Sequence, residues 1–288
     1  MAPTERETRP VPARTPAASI PAQLAAVILR DLRECAVNPA FISWSLAMAV
    51  LPAAMSYIFG GSGSAGRGLS EGDLFIVGIA LFGVCAMTVG LAVFVMADEW
   101  EQGALPSLLR AGVSPATLVA GHALAGFAPC LAWLSVAYLL LTCAPTALPL
   151  AGLPAFLLAA APAALLFNLL ALSAACLVRR QRDIYSLTAP VTVLMALGIV
   201  QSDLPGVLPG AQPLLGLLPT ALSNDALRSL VFSIEPTGPY LTSSLTWFGW
   251  MAVGGVALAI TYHRYKQDIA TLMEDCAAHQ TGSIPEVV

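Results

Sequence analysis

The chain has 288 residues, of which 57% are hydrophobic and 10% carry a charge, and its formal net charge is −4. A soluble domain has charges on about a quarter of its residues, so this composition is typical of a membrane protein. A single lysine and a slightly acidic balance argue against nucleic acid as a partner. The six cysteines are scattered without a CxxC pair, which argues against a disulfide framework or a zinc site.

The first segment, residues 1–22, contains five prolines, three arginines and two glutamates. This composition predicts a disordered tail, and the tail lacks the apolar core of a signal peptide.

Residues 23–39 follow with apolar side chains at helical spacing and polar ones on the other side. The pattern predicts an amphipathic helix in the membrane interface, and the alternative is an ordinary surface helix. The residues that define this interfacial helix are Leu24, Ile28 and Leu32 on the apolar side and Arg30 and Arg33 on the polar side.

Residues 40–266 are predicted to form one six-span transmembrane domain, with 267–288 as a cytoplasmic C-terminal tail. A membrane crossing takes about 20 apolar helical residues. The 68 residues from Ala111 to Val178 hold no Asp, Glu, Lys or Arg, so they contain two crossings, and the proline-rich 142–154 supplies the turn. The predicted spans are 41–59, 74–97, 118–142, 154–178, 184–201 and 241–263.

The basic residues set the orientation of these spans. If the N-terminus lies inside the cell, eleven Lys and Arg residues fall on the cytoplasmic side and only Arg67 and Arg228 fall outside. This bias predicts cytoplasmic N- and C-termini in a multi-pass protein of the cell (inner or plasma) membrane. The inner residues are Arg6, Arg9, Arg14, Arg30, Arg33, Arg110, Arg179, Arg180, Arg182, Arg264 and Lys266.

Residues 202–240 are apolar but carry four prolines followed by Asp225 and Arg228. A seventh crossing here would place the basic residues 263–266 outside. We therefore expect half-helices in the outer leaflet, with Ser223 as the N-cap of a short helix ending near Phe232.

The sequence contains no motif for nucleotide hydrolysis or for metal-dependent hydrolysis. GxxxxGK[ST], HExxH and GxSxG are all missing, and Lys266 is the sole lysine. We therefore expect no enzymatic activity in this chain and no catalytic, cofactor-binding or metal-binding residues.

Prolines interrupt four of the predicted spans, at Pro52, Pro129, Pro162 and Pro190. Each can kink its helix, which suits either simple packing or a hinge in a transport pathway. Asn168 is the most polar uncharged residue within a span. An interhelical hydrogen bond explains it better than a substrate contact.

A polar stretch at 98–117 separates the second and third spans. Its acids at the start and Arg110 near the end suit the dipole of a short helix. Leu105, Leu108 and Leu109 would share one face of this helix. That face should press into a partner or into the protein's own base.

Taken together, these elements resemble the permease subunit of ABC-2-type ABC exporters, over roughly residues 24 to 265. The resemblance rests on the amphipathic entry helix, six spans, a long outer segment before the last span, and the loop after span two. It implies that this loop is a coupling helix that docks on a separate ATP-binding subunit. The matching positions are Glu99, Glu101, Gly103, Leu105, Leu108, Leu109 and Pro115. Pro106, the Ser114–Pro115 order and His122 depart from the usual pattern.

The resemblance implies an exporter that lies in the lipid bilayer and pairs with a second permease, identical or paralogous. It also implies two separate ATP-binding-cassette subunits as partners. ATP and magnesium would bind to those separate subunits. Spans without charge suit a lipid, an amphipathic peptide or a hydrophobic drug. The alternatives are an ion-coupled secondary transporter and a membrane scaffold that does not pump.

Overall fold

The computed structural model describes residues 19–59, 71–178, 180, 183–203, 210–232 and 240–280. Within these ranges the secondary structure consists of α-helices and short 3-10 segments, and none of the described residues forms a strand, which confirms the all-α prediction. The helices are α1 (Ile20–Val37), α2 (Pro39–Phe59), α3 (Glu71–Glu101), α4 (Ala104–Arg110), α5 (Pro115–Cys143), α6 (Leu153–Ala175), α7 (Ile184–Asp203), α8 (Gln212–Leu215), α9 (Pro219–Phe232) and α10 (Tyr240–Gln280).

Four of the described helices are long and apolar enough to cross a membrane. They contain the segments Phe41–Ile58, Pro115–Cys143, Leu150–Ala175 and Ser244–Ala277. The other two predicted spans fall on α3 and α7, which have 31 and 20 residues. The six-span topology as a whole stays a prediction.

Helix α6 lies at the centre of the bundle, where it packs against α3, α5, α9 and α10. One face of α6 is built from fully or nearly fully buried alanines, so neighbouring backbones can approach closely. Larger buried side chains fill the space beside them, and Phe156 packs against Tyr138 of α5 with ring centroids 4.8 Å apart. The alanines are Ala159, Ala160, Ala163 and Ala164.

The predicted proline-rich turn joins α5 to α6 and includes a 3-10 turn at Leu150–Gly152. The hydroxyl of Tyr138 donates to the carbonyl of Pro149 at 2.7 Å. The backbone N–H of Thr146 donates to Oγ of Ser56 on α2 at 3.0 Å. These bonds satisfy polar backbone groups that an apolar surrounding would otherwise leave without partners.

Helix α10 continues well beyond the predicted end of the last span at residue 263. Its 41 residues run to Gln280, so residues 267–280 of the predicted C-terminal tail are helical, and the cytoplasmic location of this tail stays a prediction. The extension is helical because it keeps an apolar stripe: Tyr265 and Ile269 are buried, and Leu272 and Met273 pack against the core.

Residues 210–232 form the short helix α8 and the longer α9, which packs against α6 and α7. The predicted end near Phe232 is confirmed, but α9 begins at Pro219 rather than at Ser223. Ser223 is fully buried inside the helix, and proline starts α9 because its missing N–H would have no helical partner there.

Several predicted segments lie partly outside the described residues: the N-terminal tail at 1–18, the basic residues Arg67, Arg179 and Arg182, the outer segment at 204–209 and 233–239, and the C-terminal tail at 281–288.

Candidate functional site

The polar stretch between the second and third spans is divided into three pieces. Helix α3 runs through Glu101, Gly103 then adopts a left-handed conformation (φ 67°), and α4 covers only seven residues. Gly112 has φ 86°, and α5 begins at Pro115 with Ser114 as its N-cap. The predicted short helix is observed as α4 and ends at Arg110, but it begins at Ala104 and not at the acids, because the left-handed Gly103 separates it from α3.

Glu99 and Glu101 consequently lie at the C-terminal end of α3. A negative charge there opposes the helix dipole, whereas the sequence interpretation had placed both acids at a favourable helix start. Glu101 is exposed to solvent, but the side chain of Glu99 is only 7% exposed. A buried carboxylate at this end of a helix requires cationic partners.

The three leucines of α4 face inward. Leu105 is fully buried, and Leu108 and Leu109 are half-buried and pack against the core of the same chain. The sequence predicts that this apolar face contacts either a partner or the protein's own base. Leu105 contacts the protein's own base. The outward side of α4 is polar instead, with Ser107 and Arg110 exposed.

The interfacial helix is observed as α1, which begins at Ile20 and ends at Val37. Its most buried residues are Val27, Asp31 and Cys35, on a stripe that packs against α5. A Cβ placed on Gly121 of α5 would come within 2.4 Å of Val27, so the two helices are in very close contact. Of the predicted residues, Leu24, Ile28 and Leu32 are half-buried and Arg33 is exposed. Arg30 was expected on the polar outer side, but it turns inward because two carboxylates lie there.

Four side chains from three helices form a buried charge cluster: Arg30 and Asp31 of α1, Glu99 of α3 and His122 of α5. The guanidinium of Arg30 donates to Asp31 at 2.8 Å and also to Glu99. On the other side, Nδ1 of His122 lies 2.6 Å from Oδ2 of Asp31. Nε2 of the same ring lies 3.3 Å from Oε2 of Glu99, within ion-pair range but without a hydrogen bond. Each carboxylate thus contacts both basic groups.

The cluster is shielded from solvent. The side chains of His122, Asp31 and Glu99 are 1%, 3% and 7% exposed, and that of Arg30 is 27% exposed. Partial burial disfavours the charge on Arg30, but the carboxylates of Glu99 and Asp31 outweigh it and raise the pKa of Arg30.

Two neighbours on α1 respond to the same surroundings. Burial raises the pKa of the Glu34 carboxyl, and the charge of Arg30 opposes that shift. Burial and the negative charge of Asp31 raise the pKa of Cys35 to about 12, so this residue stays a thiol at neutral pH. Cys35 therefore serves as a packing residue beside the cluster.

Asp31, Glu99 and His122 are a donor set that could hold a metal ion, since one ligand atom from each lies within 4.8 Å of the others. The guanidinium of Arg30, however, already contacts one oxygen of each carboxylate. A fixed positive charge at this distance opposes a second cation. The arrangement therefore suits a set of ion pairs better than a metal centre.

The predicted interhelical hydrogen bond of Asn168 is present. Its side-chain amide donates to the carbonyl of Ala123 on α5. Gly126 leaves room for this contact, since a Cβ there would lie 3.0 Å from the Asn168 oxygen. Pro52, Pro129, Pro162 and Pro190 all lie inside helices, and their role as hinges stays a prediction.

The sequence pattern did not identify Asp31, and it gave His122 no role beyond a departure from the usual pattern. A signal for Asp31 was available: it lies four residues after Val27 and four before Cys35, on the buried stripe of α1. His122 is preceded and followed by a long stretch without charge. A histidine in such a place needs a polar partner from another element.

The fold and the cluster define a helical protein with several apolar helices long enough to cross a membrane, in which α1 is tied to the end of α3 and to α5. A family model described as ABC-2 type transporter matches residues 22–232, which is most of the chain. The chain therefore belongs to the ABC-2 type transporter family and is an ABC transporter permease, the membrane component of such a transporter. Helix α10 lies beyond the matched range. No curated protein matches this sequence.

Proposed function

We propose that this permease works in an ATP-driven exporter and is driven by a separate ATP-binding-cassette subunit that docks around α4. The observation that carries this proposal is the family match over residues 22–232, because it covers the entry helix, the loop with α4 and the outer helices together. The geometry of α4 adds a specific docking surface to that match.

Helix α4 is suited to receive force from a partner. Left-handed glycines at Gly103 and Gly112 bound it on both sides, while the fully buried Leu105 fixes it to the bundle. Its outward side presents Ser107 and Arg110. A partner that displaces α4 would also displace the helices of the bundle, because the inward face of α4 packs against the core.

The substrate we propose is hydrophobic or amphipathic, such as a lipid, a peptide antibiotic or a drug. Neither α5 nor α6 has an Asp, Glu, Lys or Arg, so they offer no carboxylate that could bind a coupling cation. A second permease, identical or paralogous, would complete the pathway. The bias of basic residues supports cytoplasmic termini, with α4 on the cytoplasmic side.

The test is a pull-down and ATPase assay with a co-expressed ATP-binding subunit. Reversing the outward charge of α4 with the pair Ser107→Glu and Arg110→Glu should reduce co-purification about thirtyfold, the effect of losing about 2 kcal/mol at an interface. Coupled ATP hydrolysis should fall with it. Membrane insertion should stay normal, because both side chains are exposed.

The matched control is the pair Thr271→Glu and Lys266→Glu on α10, which changes the same kinds of side chain at exposed positions. It should leave co-purification unchanged. If the α4 pair also left co-purification and ATP hydrolysis at their normal levels, docking at α4 would be wrong.

A further inference from the structure

We propose that the charge cluster of Arg30, Asp31, Glu99 and His122 is a charge-balanced joint in which His122 is an imidazolium, and that it positions α4 by fixing Glu99 to α1 and α5. The transport consequence, that α1 moves with α4, rests on the proposed function. The joint itself is a property of this chain alone and can be tested without a partner.

The arrangement of the hydrogen-bonding atoms favours a proton on both ring nitrogens of His122. Asp31 contacts Nδ1 of His122 at 2.6 Å, which requires a proton on that nitrogen because a carboxylate only accepts. A neutral ring would then present a lone pair from Nε2 to Oε2 of Glu99 at 3.3 Å, and neither atom has another hydrogen-bond partner. Two buried acceptors facing each other repel. A second proton on the ring converts that repulsion into an ion pair.

The net charge of the cluster also favours a protonated His122. With a neutral ring, two carboxylates face one guanidinium, and the buried group carries one uncompensated negative charge. With the imidazolium, two cations face two anions. A buried net charge is strongly unfavourable, so the balanced form is preferred.

The charges that face His122 come from two helices. Helix α1 supplies Arg30 and Asp31, with Glu34 farther out beside Arg30, and α3 supplies Glu99 with Asp98 next to it. The other helices that pack against α5 are α2 and α6, and neither has a charged residue. The proton on His122 is therefore held by Asp31 and Glu99.

The position of Glu99 in the chain couples the charge cluster to α4. It lies two residues before the end of α3 and five before the start of α4. The turn between these helices contains only Gln102 and Gly103, so fixing Glu99 limits where α4 can lie. Arg30 and His122 are positioning residues in this sense, because they act on α4 through Glu99.

The experiment measures the distance between spin labels at Leu29 of α1 and Ser107 of α4, both exposed, in a cysteine-free chain in lipid nanodiscs. The unmodified cluster should give a narrow distance distribution. His122→Gln should broaden it, because one negative charge is left uncompensated. Adding Glu99→Gln to that variant restores charge balance and should narrow the distribution again. Thermal unfolding should follow the same order, with a lower Tm for the single variant and partial recovery for the double variant.

A label pair at Val193 of α7 and Leu230 of α9 is the control and should not change in any variant. An unchanged distribution in His122→Gln would overturn the joint. So would a tighter distribution in Glu99→Gln alone, since that result requires a neutral His122. Tightening by added zinc, reversed by a chelator, would show a metal site instead. These outcomes need no ATP-binding subunit, so failure of the joint is distinguishable from failure of the proposed exporter function.

Discussion

Two short helices lie against the spans, α1 and α9, and a close glycine contact holds each of them. At Gly121 a Cβ would meet Val27 of α1 at 2.4 Å, and at Gly198 of α7 a Cβ would meet Thr220 of α9 at the same distance. The contacts beside these glycines differ. Thr220 donates one hydroxyl hydrogen bond, 2.6 Å long, to the carbonyl of Met195, whereas α1 brings Arg30 and Asp31 into the charge cluster.

This difference shows what charges add to packing. The contact between α7 and α9 joins two helices through close packing at Gly198 and includes the neutral hydrogen bond of Thr220. The charge cluster joins three helices, because each carboxylate contacts two cations from different directions. Ion pairs can therefore fix a third element, the end of α3, that the close contact at Gly121 does not reach.

The largest loss of stability is expected when a charge is removed from the α1 contact. Asp31→Asn keeps the shape of the side chain but removes one anion, so Arg30 and His122 are left with one carboxylate. Breaking a buried ion pair in this way should lower the free energy of unfolding by about 3 kcal/mol. Thermal unfolding in detergent followed by circular dichroism measures it. Arg33→Gln is the control, since Arg33 is exposed on the same helix. A loss no larger than that of the control would show that charge does not hold α1.

A smaller loss of stability is expected when the two contact glycines are enlarged. The loss should be similar at Gly121 and at Gly198. Gly121→Ala and Gly198→Ala each insert a methyl group where the nearest atom lies 2.4 Å away. Each should lower the free energy of unfolding by about 1–3 kcal/mol through overpacking. The same unfolding assay applies. Gly255→Ala in α10 meets nothing within 4 Å and should be neutral or slightly stabilising. If one glycine variant were harmless, the parallel between α1 and α9 would be lost.

The smallest effect concerns the neutral hydrogen bond. Thr220→Val keeps the shape of a fully buried side chain and removes its bond to Met195, so it should lower the free energy of unfolding by about 1 kcal/mol. Thr271→Val, at an exposed position, should change it by less than half as much in the same assay. A loss as large as that of Asp31→Asn would contradict the view that the α7–α9 contact depends mainly on shape.

The sequence predicts the helices well because long apolar runs determine them locally. The all-α class, the turn between α5 and α6, and the hydrogen bond of Asn168 follow from runs, prolines and the polarity of a single residue. The length of α3 and the continuation of α10 were missed, since polar residues at the end of a helix resemble a loop in sequence. Glu99 was predicted at a helix start and Arg30 on the polar outer side, whereas Glu99 lies near the end of α3 and both side chains belong to the charge cluster.

The charge cluster could not be predicted because its partners are far apart in the chain. His122 is 91 residues from Asp31, and Arg30 is 69 residues from Glu99. A single sequence shows which residues need a partner, but only the packing of α1 on α5 and of α3 on α5 shows which partner each has. The buried position of Asp31 on its helix was the one local sign.

Helix α10 has 41 residues, which corresponds to about 60 Å of continuous helix, roughly twice the hydrocarbon thickness of a bilayer. Its Tyr265 ring contacts Trp100, the residue next to Glu99, edge to face with centroids 6.1 Å apart. A rod of this length acts as a lever arm. A tilt of about 10° would move one end by about 10 Å relative to the other. A tilt of α10 would in this way act on Trp100 at the end of α3 through the contact with Tyr265.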